Sequence, residues 1–203
     1  MSDMKTIILA IFIGIFGCIC LYFLYCSFKG NYLLSKLSDC LIKGDTASFD
    51  NLIEDPNVSK YIKPFNLDFI MFNRYVFDDN ISKAKKMLTE FENVNLNKKQ
   101  KLAIYQRAYY YFLSKQDNDT AKVCYDKLNE IGDFPERKRL DITYDTYVVK
   151  GYKYLEETLS LMENTNKNGK YEYMALVADM YYNKGNLEKY KEYKDILEKV
   201  INE

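Results

Sequence analysis

Histidine and tryptophan are both missing from the 203-residue chain. Without an imidazole there is no Ser-His-Asp triad, no Cys-His dyad and no zinc motif that needs a histidine ligand. An excess of either charge is also missing. Lys+Arg number 29 and Asp+Glu number 29, so the formal net charge is zero. No global field is available for holding DNA or RNA, and nucleic acid is not an expected partner. Of the five cysteines, Cys18, Cys20 and Cys26 lie in one apolar stretch, and Cys40 and Cys124 stand far apart with no CxxC. That is neither a disulfide framework nor a metal site. A Cys40–Cys124 bridge is compatible with an oxidising compartment; otherwise the two read as small buried hydrophobes. Tyrosine is abundant at 20 residues, which reads as the codon bias of an AT-rich genome rather than as mechanism.

No charge occurs between Lys5 and Lys29. Residues 6–28 (TIILAIFIGIFGCICLYFLYCSF) supply the roughly 20 apolar residues that a helix needs to cross a hydrocarbon core about 30 Å thick. Tyr22 and Tyr25 near the end suit an interfacial aromatic belt. The expectation is a transmembrane helix over 6–28 that holds the chain in a lipid bilayer as a single-pass protein of the cell membrane. Two other readings compete. A cleavable signal peptide would have a shorter core and an A-x-A-like end, and neither is present. Ile15-Phe16-Gly17-Cys18 is similar to a lipobox, but Phe fits poorly before the Gly and the apolar run continues past Cys18. Ala10, Gly14 and Cys18 form a small-xxx-small row through which two such helices could pair as a weak homo-oligomer. Lys29, Lys36 and Lys43 follow the segment, against Lys5 before it, and the positive-inside rule tilts the following domain toward the cytoplasm. A short basic N-terminus retained inside would export it instead.

Downstream, five segments share a pattern: a turn-like residue and, about five residues later, the lead apolar residue of an amphipathic stripe. The lead positions are Phe49, Ala84, Ala121, Leu155 and Tyr190, at spacings of 35, 37, 34 and 35 residues. A second helical stretch precedes each: Tyr32–Ile42, Asn66–Phe77, Lys99–Ser114, Arg137–Lys150 and Tyr171–Asn183. Gly44, Gly151 and Gly185 fall in turns inside the units, and Gly132 and Gly169 fall between them. Pro56, Pro64 and Pro135 precede first helices, where a missing N–H is tolerated. Asp78, Asp79, Asp117 and Asp119 stand where N-caps are wanted. This predicts an all-α chain: the apolar helix, then helix–turn–helix units. Such hairpins bury their apolar faces by stacking on their neighbours.

The fifth unit, residues 171–197 (YEYMALVADMYYNKGNLEKYKEYKDIL), resembles a tetratricopeptide (TPR) repeat. Val177-Ala178 stands where the family has Leu-Gly, Tyr181 at its first-helix Tyr and Gly185 at its turn Gly. Tyr190 replaces the family's second-helix Ala, which Ala121 matches in the third unit. There Tyr109 replaces a small residue. The fourth unit departs most, with Thr143 and Thr146 at the paired positions. The resemblance implies a TPR-like α-solenoid domain over residues 30–203, of about five units. It also implies a concave groove, formed by first helices, that binds a protein or peptide. By that alignment the groove positions are Asn66, Phe69, Asn73, Gln106, Tyr110, Tyr144, Tyr147, Asp179, Tyr182 and Asn183. Rings supply area and amides satisfy extended backbone. The family's carboxylate clamp does not carry over, because Phe69 replaces its Lys.

Tyr109, Tyr110 and Tyr111 are consecutive, so they cannot share one helix face. Asp78-Asp79-Asn80 and Asp117-Asn118-Asp119 lack the Gly and distal Glu of an EF-hand loop and read as helix caps. Lys98, Lys99 and Lys101 read as a solvated helix start. No catalytic, cofactor-binding or metal-ligating residue is assigned, and an enzyme is not expected. A membrane enzyme working with carboxylates and tyrosines alone has no cluster to support it. The expected function is a membrane-anchored scaffold or assembly factor, with an obligate structural subunit of a larger membrane complex as the alternative.

Overall fold

The computed structural model describes the backbone of residues 2–201 and the side chains of 11–166 and 169–199. Among these residues every regular element is helical. Eleven α-helices follow one another: α1 (Ser2–Lys43), α2 (Thr46–Ile53), α3 (Pro56–Tyr61), α4 (Pro64–Phe77), α5 (Ile81–Glu92), α6 (Lys98–Ser114), α7 (Asn118–Ile131), α8 (Arg137–Tyr144), α9 (Leu155–Glu163), α10 (Lys167–Asn183) and α11 (Leu187–Ile201). A π-helical turn over Asp145–Val149 continues α8. The chain divides into two compact units, Met1–Asn95 and Leu96–Glu203.

In the first unit the apolar segment and the expected helix over 32–42 are one unbroken helix of 42 residues. Gly30 is the only weak helix former between Phe28 and Tyr32, and a single Gly costs a helix only about 1 kcal/mol. The 6–28 segment is therefore joined to its domain without a linker. The C-terminal third of α1 supplies Leu33, Leu37 and Leu41 to a core shared with Phe49, Val58, Ile62 and Ile70. Through that sharing, the residues from Leu33 to Ile70 fold together with the C-terminal part of α1. Helix α3 is an addition to the expected elements. Pro56 occupies its first turn and Asp55 caps it through the Asn57 N–H. Gly30 is buried because the end of α3 rests on it. A Cβ there would run into the Tyr61 carbonyl oxygen and lie 3.1 Å from the carbonyl carbon. Further along, Phe72 packs edge-on to Phe91 at 6.3 Å, between α4 and α5.

In the second unit, α6 and α7 form a hairpin around Ile104, Ala108, Tyr109, Phe112, Ala121, Cys124 and Leu128. Ile142, Leu155, Leu176, Val177 and Met180 form a further core. The consecutive tyrosines separate by helix geometry: Tyr109 and Tyr111 are buried, and Tyr110 is half-buried. Helix α11 lies on α10 through a Tyr181–Tyr193 stack at 5.7 Å, and its described side chains are half-buried or exposed.

One local construction recurs. Gly44, Asp79, Gln116, Lys150 and Gly185 all have positive φ, between 56 and 81°, and each stands five residues before a lead apolar position. At four of these turns the next residue sends its N–H five residues back: Asp45 to Cys40, Asn80 to Tyr75, Asp117 to Phe112 and Asn186 to Tyr181. This is a Schellman-type closure. The same Asp or Asn then caps the next helix, accepting from the N–H of Ser48, Lys83, Thr120 and Lys189 respectively. Three expected caps are thereby corrected. Asp78 closes α4 and pairs with Arg74. Asp79 takes the left-handed turn position and leaves the capping to Asn80. Asp119 lies in the first turn of α7, behind the Asp117 cap.

Candidate functional site

Two features stand out, one in each unit. The first is the N-terminal rod of α1. From Ile11 to Phe28 its side chains are exposed, apart from half-buried Cys26. Phe12, Phe16, Leu21 and Phe28 each show two thirds or more of their surface. Soluble monomers rarely expose contiguous apolar surface beyond a few hundred Å². This helix is long and apolar enough to cross a membrane, and its most apolar stretch is wholly unburied. Gly14 and Gly17 have no neighbour within 4 Å, and Cys18 is exposed. The Ala10 member of the small-residue row has its side chain outside the described residues. None of the five cysteines is in a disulfide, and Cys124 is buried.

The second feature is a cleft of about 700 Å³ in the second unit. Tyr110, Leu113 and Ser114 from the end of α6 line one wall, with Gln116 in the turn and Asn118 at the start of α7. Tyr147 and Lys150 from the π-helical turn line the other. The chemistry is mixed: one cation, two amides, hydroxyls and two aromatic rings.

The π-helical turn that presents Tyr147 and Lys150 is held from several sides. Gly151 N–H donates to the Asp145 carbonyl six residues back, at 2.7 Å. The Asp145 carboxylate accepts from Lys153 N–H at 2.9 Å. A Cβ on Gly151 would lie 2.6 Å from that carboxylate, so this turn takes glycine one place later than its neighbours. Lys150 takes the left-handed conformation (φ 61°, ψ 34°). Thr146 Oγ1 donates to the Ile142 carbonyl at 2.8 Å. The Asn183 amide of α10 donates to the carbonyls of Thr146 and Gly151, at 2.9 and 3.0 Å. A π turn leaves carbonyls without their α-helical partners, and Asn183 fills that need.

The tyrosines around the cleft stay protonated over the neutral range. Burial, reinforced by the Asp179 carboxylate, raises the Tyr147 phenol well above its ordinary value. Its hydroxyl donates to Asp179 at 3.0 Å. Burial also raises Tyr110 and Tyr109, whose hydroxyl shares a hydrogen bond with Thr143 Oγ1 at 3.0 Å. Tyr125 is pushed up to about 12, by burial first and then by its bond to Asp141.

The expected groove residues fall into several groups. Tyr110 and Tyr147 meet in the cleft. Asp179 and Asn183 stand behind it on α10, one holding Tyr147 and the other the turn. Tyr144 instead stacks on Tyr125 of α7, with ring centroids 3.7 Å apart and planes within 6°. Gln106 is half-buried on α6. Tyr182 is exposed, with its ring 5.2 Å from Tyr190. Asn66, Phe69 and Asn73 belong to α4 in the first unit. There Phe69 stacks on Phe65 at 5.9 Å, and the Asn73 amide donates to the Phe69 carbonyl at 3.0 Å.

Leu113, Ser114, Gln116, Asn118 and Lys150 line the cleft without having been expected there. A signal for two of them was present: Gln116 and Lys150 occupy turn positions where the first and fifth hairpins have glycine. Among the described residues no three carboxylates or thiols are gathered as a metal site. No protein-family model, no curated protein and no solved structure matches the chain.

Proposed function

We propose that this is a single-pass membrane protein whose TPR-like hairpins hold a protein or peptide, acting as scaffold or assembly factor at the membrane. The observation that carries the reading is the recurring turn. Five left-handed residues precede five lead apolar residues by the same interval, and four of the turns share one hydrogen-bond pattern. That regularity supports the repeat resemblance, and the resemblance implies peptide recognition. The cleft beside the third and fourth turns fits such a role. Its rings offer area and its amides offer donors and acceptors to an extended chain. The exposed rod supports tethering, which raises the effective concentration of the module at the bilayer. The reading needs no catalytic group.

The test places a photo-crosslinking amino acid at Gln116, on the cleft, or at Lys127, nine residues beyond Asn118 along α7, in full-length protein in its native membrane. A discrete protein adduct from the Gln116 position alone is expected. Adducts common to both positions, or none, would remove the assignment of the cleft. Adduct formation that an added peptide reverses marks a scaffold; a partner that co-purifies through high salt marks a permanent subunit.

A further inference from the structure

The end of α3 doubles back along α1 toward the apolar rod. The Tyr61 carbonyl rests on Gly30, and the Tyr61 ring meets the Tyr25 ring at right angles, 6.1 Å away. The Lys60 ammonium lies 5.1 Å from the Tyr61 ring. Burial along α1 records the same approach. Gly30 is buried and Lys29 and Cys26 are half-buried, while Phe23, Leu24 and Phe28 on the other faces stay exposed. Lys60 itself is exposed.

The apolar run ends at Phe28, but α3 carries Lys60 and Tyr61 back past Gly30, as far as the Tyr25 ring. An ammonium inside hydrocarbon is costly, and lysines near a span reach for the interface. At the headgroup level the same charge meets lipid phosphates, and tyrosines there present a wet hydroxyl and an apolar ring. Since Tyr61 is locked to α1 at Gly30, α3 cannot lift away to spare Lys60. The bilayer has to meet the protein lower down.

We infer that the Lys60–Tyr61 end of α3 is a foot seated in the phospholipid headgroup layer, level with Tyr22 and Tyr25, with Lys60 and Lys29 facing lipid phosphates. This rests on the single-pass reading. The hydrocarbon-crossing part of α1 then runs from Thr6 to about Tyr22, roughly 17 residues and about 26 Å. Tyr25, Phe28, Tyr32 and Tyr61 make the interfacial belt. Unbroken α1 and the foot together set the first unit at a fixed height and tilt on the membrane.

The absence of tryptophan makes single-tryptophan depth measurements clean. Full-length Phe16→Trp, Tyr25→Trp, Tyr61→Trp and Ile42→Trp variants are reconstituted in phosphatidylcholine–phosphatidylglycerol vesicles; Ile42 is exposed on α1 itself, twenty residues beyond Tyr22. Their fluorescence is quenched by lipids brominated at shallow or deep acyl positions, or by aqueous iodide. Lys60→Trp, at an exposed site that packing does not constrain, is a second reporter on the foot. The Phe16→Trp reporter should respond to deep bromines and the Ile42→Trp reporter to iodide alone. The Tyr25→Trp, Tyr61→Trp and Lys60→Trp reporters should all be quenched about twofold by shallow bromines and less by deep ones. If the Tyr61→Trp and Lys60→Trp reporters behave like Ile42→Trp while Phe16→Trp is deep, the foot is refuted and the span stands. If Phe16→Trp escapes the deep bromines, the single-pass reading fails and the foot fails with it.

Discussion

Replacing Gly30 by alanine sets two effects of opposite sign against each other. In an unpacked helix Gly→Ala gains about 1 kcal/mol. At Gly30 the new methyl meets the Tyr61 carbonyl, which is backbone and cannot rotate aside, with Ile62 N a further 3.7 Å contact. Reaching an ordinary carbon–oxygen contact needs a retreat of about an ångström by the end of α3. Val58 and Ile62, both buried in the first unit's core, would be drawn out with it. Complete exposure of one such side chain costs about 1.5–3 kcal/mol, and overpacking typically costs about 1–3 kcal/mol. Set against the helix gain, the net expectation is a loss of about 1–2 kcal/mol. The assay is hydrogen exchange of residues 56–62 in the reconstituted chain, with Gly17→Ala as control because nothing lies within 4 Å of Gly17. Gly30→Ala should speed exchange at Ile62, whose N–H donates to the Val58 carbonyl at 2.9 Å, and Gly17→Ala should not. Equal exchange in the two variants would show that α3 does not press on Gly30, and would remove the geometric basis of the foot.

Three further outcomes are expected. Asn183→Ala strips the Thr146 and Gly151 carbonyls of a partner and should cost about 1–3 kcal/mol in urea unfolding; an unchanged midpoint would mean that the π-helical turn holds without it. Gly185→Ala forces a side chain into φ 81° and should cost about 1–2 kcal/mol, measured in the same way, and no loss would refute the strain. Tyr125, raised to about 12 when folded against about 10 unfolded, keeps its proton in the native state after the unfolded state has lost its own. Its contribution is complete below pH ~10 and is lost as pH rises toward ~12. Unfolding midpoints should fall across that window and fall less in Tyr125→Phe, while ultraviolet titration shows late-ionising tyrosines. A flat midpoint from pH ~9 to ~12 would contradict the burial of these phenols.

Much of this molecule follows from local pattern. The run from Thr6 to Phe28 carries no charge, and from Ile11 onward its side chains are exposed apart from half-buried Cys26. The lead positions Phe49, Ala84, Ala121 and Leu155 open stripes of helical period, and all four are buried. Asp117 sits three residues before Thr120, the spacing of a cap. Local chemistry reaches that far because helix periodicity and capping act over three or four residues.

Contacts between distant residues lie beyond that range. Nothing near Gly30 announces that Tyr61 will press on it, because a carbonyl approaching from thirty-one positions away leaves no mark on the helical pattern. That Asn183 serves the π-helical turn rather than an open groove depends on α10 lying against residues 146 and 151. Tyr144 and Tyr147, three positions apart on one chain segment, part company only because α7 offers one of them a ring and α10 offers the other a carboxylate. Sequence by itself determined where most of the helices form and which stretch is long and apolar enough to cross a membrane, since both are settled by neighbours along the chain. Tertiary structure alone decided where the rod becomes core, which tyrosines face the cleft and where the end of α3 meets α1, since each depends on the packing of helices far apart in sequence.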